Sequence, residues 1–315
     1  MSFTEIASTR PWSTVLSLNW RRTTAIRTQA TRNRYHRALR GVISAIAALL
    51  FVGTGAAQGP KLKDIEKAIA LCNRVADMSP DLRISGCTSI IESAAETRQA
   101  RAIAYNNRGN AYVKKGEYDR AIEDFDQAIK ADPNYAKAFN NRGVAYQRKG
   151  EYDHALQDFN QSIRLDPASP GVFANRADYY RWKGDYDSAL RDYDEAIRFQ
   201  PELEGVWNGR CWVKAILGDL SAALSDCNES LRLEPNTAAA FDSRGLVNLK
   251  MGRWDAAFVD YNSALQLEPT LASSLYGRGQ IKLKRGDLTG GNADIAAAIA
   301  LEPKVETNFT RYGAK

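Results

Sequence analysis

At 315 residues the chain has the length of about two globular domains, and its formal net charge of +6 would ordinarily raise the question of a nucleic-acid partner. The charge is unevenly placed: residues 1–58 hold eight arginines, no lysine and one acid, Glu5, whereas residues 59–315 carry 35 basic and 36 acidic groups. The basicity belongs to the leader, so nucleic acid loses its main electrostatic argument.

In that leader Arg40 is followed by an uncharged run, GVISAIAALLFVGTGAAQGP. A basic stretch, a short apolar core and small residues at Gly55, Ala56 and Ala57 read as a secretory signal peptide cleaved after Ala57. The basic region of 40 residues is long for one. A misassigned start, an Arg-rich organellar transit sequence and an uncleaved anchor over residues 41–57 therefore stay open. The twin arginine Arg21-Arg22 has poor surroundings for the export signal of that kind. The compartment expected is periplasmic or secreted, or membrane-anchored if the leader is kept.

Residues 61–101 read as a degenerate helical hairpin. LKDIEKAIALCNRVA has helical apolar spacing, Ser79-Pro80-Asp81 is a stop and start, and LRISGCTSIIESAA resumes the pattern. Such a unit would shield the apolar face of the next hairpin.

From residue 102 the chain repeats every 34 residues, in units 102–135, 136–169, 170–203, 204–237, 238–271 and 272–305. Counting each unit's first residue as place 1, Gly116 and its five equivalents sit at place 15, and Pro133 and its equivalents at place 32. Tyr105, Gly109 and Tyr112 have helical spacing, and Gly116 stands where a left-handed residue follows a helix. Asp119 is placed to cap a second helix, Ala121, Phe125 and Ala128 give it one apolar face, and Pro133 follows its end. Each unit is thus a hairpin of two helices. The tail at 306–315 begins another unit, with Phe309 and Gly313 at places 4 and 8, and is expected to fray.

Place 7 is Arg and place 23 is Asp in every unit: Arg108 with Asp124, Arg142 with Asp158, Arg176 with Asp192, Arg210 with Asp226, Arg244 with Asp260 and Arg278 with Asp294. Their places lie close to equidistant from the turn, so each pair is expected to meet across its own hairpin or at the joint with a neighbour. So regular a set is structural, not a site.

The cysteines fall into two pairs. Cys72 and Cys87 are centred on the Ser79-Pro80 turn, so they should face each other and form a disulfide. Cys211 and Cys227 are centred on residue 219, about one helical turn out of line, and are expected as buried thiols. Neither spacing is a zinc ligand set.

Little else could carry chemistry. His36 lies in the leader and His154 has no ligand cluster around it; the glycines are spaced as helix ends, not as a phosphate loop, and no G-x-S-x-G elbow occurs. No enzyme activity, metal or cofactor is expected.

Tyr105, Gly109, Tyr112, Ala121, Phe125, Ala128 and Pro133 fill the seven hallmark places of a known family. The chain resembles the tetratricopeptide repeat over residues 102–305, and with its leader it resembles exported bacterial members. The resemblance implies an all-α, right-handed superhelical solenoid of antiparallel helix hairpins. Departures gather toward the C-terminus, with Cys211 for the Gly, Lys214 and Asn248 for the Tyr, and Leu275, Gly291 and Ile295 in the last unit. They point to looser packing there. The family residue at place 7 is an inward-facing Leu, which implies half-buried arginines.

The resemblance also implies a concave face built from places 2, 5, 6, 9, 12 and 13 of each first helix. Asn106, Asn107, Asn110, Asn140, Asn141 and Asn175 line its first half. An Asn offers a donor and an acceptor, so such a ladder could hold an extended peptide backbone, as asparagine ladders of the family do. Asn208, Asp178, Arg181, Trp182 and Trp212 continue the candidate peptide-binding set, and Ile216, Leu246 and Leu249 make the lining apolar. The function expected is a non-catalytic scaffold binding an extended segment of another protein. Alternatives are a membrane-tethered assembly or chaperone-like factor, or an accessory subunit of an enzyme complex. A membrane is a partner only if the leader is uncleaved.

Overall fold

A computed structural model describes residues 62–73, 78–93 and 97–314; the leader, with the expectations of cleavage or anchoring, lies outside these residues. The described residues form fifteen helices and no strand. A first hairpin, α1 (Leu62–Asn73) and α2 (Pro80–Glu92), precedes α3 (Arg98–Lys115) and α4 (Tyr118–Ala131). There follow α5 (Ala136–Lys149) with α6 (Tyr152–Leu165), α7 (Pro170–Lys183) with α8 (Tyr186–Phe199), and α9 (Val206–Leu217) with α10 (Leu220–Leu233). The array continues with α11 (Ala238–Lys250), α12 (Trp254–Leu267), α13 (Ala272–Lys284) and α14 (Leu288–Leu301), and ends in a short α15 (Val305–Arg311). Each helix packs on the next, and first helices also touch first helices of adjacent units, which is the stacking of a solenoid.

The hairpin follows from a few places. Gly116 ends α3 at φ 75°, a left-handed conformation that glycine alone adopts without cost, and its amide returns to Val113 and Tyr112 carbonyls. Gly109 then lets the helices close: a Cβ there would stand 2.7 Å from the Phe125 ring. Phe125, Ala121 and Ala128 are all fully buried. Burial of a side chain such as Phe125 stabilises by roughly 1.5–3 kcal/mol.

Capping differs from expectation. Asp119 is not the cap of α4; Glu117 holds that position, and Asp119 pairs with Lys149 at 2.8 Å. Where a side chain does cap a second helix, it comes from place 16. Asp185, Asp219 and Asp287 accept from the amides of Ser188 (3.1 Å), Ala222 (3.3 Å) and Gly290 (2.8 Å). Capping needs an acceptor outside the helix, and place 18 is already inside it.

The arginines bind across their own hairpins and reach the neighbour as well. In the third unit Arg176 Nε and Nη2 donate to both oxygens of Asp192 at 2.7 and 2.8 Å. Its third nitrogen, Nη1, donates to Asn160 Oδ1 of the preceding second helix at 2.6 Å. The same third arm joins Arg142 to Asp126 (2.5 Å), Arg210 to Asp194 (2.6 Å), Arg244 to Asn228 (3.0 Å) and Arg278 to Asn262 (3.0 Å). Arg108, first in the row, uses Thr88 of α2 at 2.9 Å. The six aspartates are buried and the arginines half-buried. Each fork therefore fastens three helices, two of its own unit and one of the unit before.

The C-terminal departures tighten these forks. Lys214 and Lys282 add a second cation to Asp226 (2.7 Å) and Asp294 (2.8 Å), and Asn248 donates to Asp260 at 2.8 Å. All three occupy the place of the family Tyr. Cys211 and Cys227 are bonded, with Cα atoms 5.3 Å apart, contrary to the expectation of free thiols. They hold the places of Gly109 and Phe125, which already face each other, so a small–large contact has become a covalent one. Cys72 and Cys87 are bonded as expected, with Cα atoms 4.7 Å apart. The tail does not fray: Val305, Phe309 and Ala314 are buried.

Asp242 of α11 accepts from Ser274 Oγ of α13 at 2.5 Å. Burial, only partly offset by the Ser274 and Ser273 hydroxyls, pushes its carboxyl up to about 6.

Three outcomes are expected. Asp192→Ala leaves Arg176 uncompensated and should cost roughly 2–4 kcal/mol in a denaturant melt, with much recovered in Arg176→Leu/Asp192→Ala. A melt equal to the parent would make the fork a solvated contact. Non-reducing peptide mapping should find Cys72 joined to Cys87 and Cys211 to Cys227, and loss of either bond should cost about 3 kcal/mol. Because the Asp242 carboxyl is raised on folding, stability present near pH 4 is lost as pH rises toward 6. Asp242→Asn should therefore exceed the parent by roughly 2–3 kcal/mol above pH 6, with the gap closing toward pH 4. A gap that does not change with pH would show that the carboxyl titrates normally.

Candidate functional site

The first half of the groove is organised by a chain of side-chain amides. Asn107 Nδ2 donates to Asn73 Oδ1 at 3.0 Å and to the Cys72 carbonyl at 3.3 Å. Asn106 donates to Asn107 at 3.4 Å, Asn141 to Asn106 at 2.9 Å, Asn140 to Asn141 at 3.3 Å and Asn175 to Asn140 at 2.9 Å. Six amides thus run across four hairpins. Asn106 is buried at 4% exposure, while Asn107, Asn110, Asn140, Asn141 and Asn175 are half-buried. Asn73 lies outside the expected set, although it stands 34 residues before Asn107; the degenerate first hairpin hides that register. The chain stops at Asn175 because the neighbouring place 5 holds Ala174 and the next place 6 holds Gly209. A Cβ on Gly209 would lie 2.5 Å from the Tyr193 hydroxyl, which fills that position.

Beyond it lies a charged and aromatic stretch. Tyr193 donates to Asp178 Oδ1 at 2.5 Å, Arg181 reaches the same oxygen at 3.4 Å, and the Arg181 guanidinium stands 5.5 Å over the Trp212 ring. Burial, with Asp178 beside it, pushes the Tyr193 phenol well above its ordinary range. Asn208 is half-buried, and its Oδ1 has no partner within hydrogen-bond distance.

The two tryptophans are placed differently. Trp212 is half-buried, edge-on to Tyr186 at 6.0 Å and to Tyr312 at 5.1 Å. Trp182 is 58% exposed and stacks on Tyr152 at 3.6 Å, beside a recess lined by His154, Tyr179 and Lys183. It sits at the hairpin-turn edge rather than continuing the line to Trp212. His154 lies 3.1 Å from the Glu151 carboxylate, with its ring 5.0 Å from that of Tyr146.

The apolar half is covered. Leu246, Leu249, Leu275 and Tyr276 are buried in one cluster with Val305, Phe309 and Ala314, with Trp212 and Ile216 packed against it. Among the described residues no group of three or more His, Cys, Asp or Glu could hold a metal ion, and no helix is long and apolar enough to cross a membrane.

Two family models match, a TPR repeat over residues 109–150 and a tetratricopeptide repeat over residues 136–169. No curated protein matches. Among solved structures, the APC/C hetero-tetramer Cut9-Hcn1 is similar with a TM-score of 0.63 and 16% identity, over 79% of this chain. The chain spans 51% of that relative's length. Pseudomonas aeruginosa pilF is similar with a TM-score of 0.59 and 20% identity, over 68% of this chain and 98% of its own. A tetratricopeptide repeat protein from Parabacteroides merdae ATCC 43184 gives 0.58 and 16%, over 80% and 98%. At these identities the structural likeness shows a shared fold alone. With its 34-residue period, its Gly–Phe hairpins and these matches, the chain carries tetratricopeptide repeats and has the fold of a helical-hairpin solenoid.

Proposed function

We propose that the chain is a non-catalytic scaffold whose asparagine-lined half-groove holds an extended segment of another protein. The observation that carries this is the amide chain from Asn73 to Asn175. In the ladder bonds each amide uses only part of its capacity of two donors and two acceptor lone pairs. The remainder sits at a spacing fixed by the solenoid, and a peptide backbone supplies alternating partners for it. Recognition of this kind reads backbone more than sequence. The charged stretch at Asp178 and Arg181, with Asn208, would fix where the segment ends. Two disulfides favour an oxidising compartment, in keeping with export by the leader and a periplasmic or secreted location.

The test is capture of a partner from a cell-envelope extract, followed by titration against Asn107→Ala/Asn141→Ala/Asn175→Ala. Each lost hydrogen bond to the segment should cost roughly 0.5–1.5 kcal/mol, so affinity should fall about tenfold or more; because the same change breaks ladder bonds between hairpins, binding is read well below the variant's own melting temperature. An unchanged affinity would move the partner off this face.

A further inference from the structure

The fourth unit closes differently from its neighbours. In the other five units place 8 is Gly or Ala and place 24 is Phe, Tyr or Ile. A Cβ on Gly109 or Gly245 would stand 2.7 Å from the facing Phe125 or Tyr261, and one on Gly143 or Gly279 would stand 2.8 Å from Phe159 or Ile295. A small place and a large one lock each of those hairpins. In the fourth unit both places are cysteine, fully buried, and the contact is the Cys211–Cys227 bond.

Little else is buried around that bond. Cys211, Cys227, Ala215, Ala223 and Val247 form a cluster of their own, with Leu224 and Met251 packed against it and no aromatic ring. The cluster before it holds Phe173 and Tyr193, and the one after it Tyr261 and Tyr276. Among the described residues the other ring-free cluster is that of Cys72 and Cys87. A bond therefore stands in each place where ring burial stabilises the remaining hairpins. The Tyr193 and Tyr261 rings also fill the space above Gly209 and Gly277 of the next unit, where a Cβ would collide. Cys227 has no ring to carry that contact into the fifth unit. The fork of Arg210 with Asp226 and Asp194 remains, but a half-buried ion pair recovers little beyond its own desolvation. Free thiols cannot replace the bond: non-bonded atoms keep roughly 3.5–4.0 Å apart, so reduced cysteines must part or turn aside.

The two disulfides differ in consequence. The first hairpin is terminal, and its opening leaves the other units stacked. The fourth unit is internal, in an array where each repeat contacts its neighbours. We propose that this unit is a redox-conditional joint. While Cys211 and Cys227 are thiols, residues 206–233 stay open between two folded arms, and oxidation closes them into one array. Closure joins the two sulfurs and passes two electrons and two protons to a disulfide oxidant, which leaves as a dithiol. Both sulfurs are then buried, so a reductant reaches them only through opening of the unit. The array is thus divided in a reducing compartment and completed in an oxidising one. This rests on neither the asparagine ladder nor the leader, so it can fail while the scaffold reading stands.

The test compares the full chain with Cys211→Gly/Cys227→Phe, each refolded with and without dithiothreitol and followed by amide hydrogen exchange. Both lose the Cys72–Cys87 bond in the reductant, so their difference belongs to the fourth unit. In the parent, amides of 206–233 should exchange at least about hundredfold faster when reduced, the loop-closure effect of one such bond expressed as a ratio. Those of 136–199 should change by less than about threefold. In the variant, 206–233 should be equally protected with and without the reductant. Retained protection of 206–233 in the reduced parent overturns the proposal, as does a loss spread evenly over 136–301, which would make the array one cooperative unit. A variant that loses 206–233 on reduction overturns it too, because the sensitivity would then come from the first hairpin. Should the variant fail to fold, pulsed alkylation of the reduced parent decides. Cys211 and Cys227 should react within about tenfold of their rate in denaturant. Slower labelling would show the unit closed without its bond and overturn the proposal.

Discussion

The structure depends on keeping a guanidinium satisfied where water is scarce. A half-buried arginine has five donors in a fixed plane, and leaving them unmet is costly. Asp at place 23 takes two of them across the hairpin, and an Asx side chain or Thr88 of the unit before takes another. Because the fork is planar, both partners must lie at set angles. One residue type thereby sets the crossing of the hairpin and the step to its neighbour. The hydrophobic places supply most of the burial, but Ala and Phe tolerate sliding; a bidentate fork does not.

Much of this was legible in the sequence because it repeats. Arg at place 7 and Asp at place 23 recur without exception, and a facing pair follows from hairpin symmetry. The third partner was not legible, since place 25 is Asp in some units and Asn in others and the first arginine uses Thr88 at place 21 of the first hairpin, so no single residue type marks it. The Cys211–Cys227 register misled for a different reason. A turn centre taken from places 8 and 20 overlooks that place 8 also meets place 24, as Gly109 meets Phe125, and the two cysteines hold those places. The C-terminal swaps looked like erosion of a motif. In the structure Lys214, Asn248 and Lys282 replace the lost Tyr with a second donor to a buried Asp. A motif comparison scores residue identity, and the fork needs only donors.

The groove has two chemistries with different consequences for a ligand. Its amide half is satisfied internally yet keeps spare donors and acceptors, so an occupant exchanges water for backbone contacts with small net gain per bond. Its apolar half has no such compromise. Leu246, Leu249 and Tyr276 left open would form a contiguous apolar patch of the kind that associates unless covered. Residues 305–314 cover it. Tail burial was invisible in the sequence, because Phe309 and Gly313 at places 4 and 8 mimic the start of another repeat.

The joint after α14 lacks the fork that fastens the earlier ones. Stacking a further unit requires an acceptor on the last second helix and an arginine on the incoming first helix. The chain has Ala296 and Tyr312 at those positions. The apolar match at Val305 and Phe309 still draws the segment onto α13 and α14, where Asn308 donates to Glu302 at 2.8 Å and Lys250 to the Tyr312 carbonyl at 2.7 Å in place of a guanidinium fork. Free of that constraint, the short helix follows the apolar surface, and Tyr312 arrives at Trp212 rather than at a carboxylate. One substitution pair, Arg to Tyr and Asx to Ala, thus converts a stacking element into an occupant of the groove.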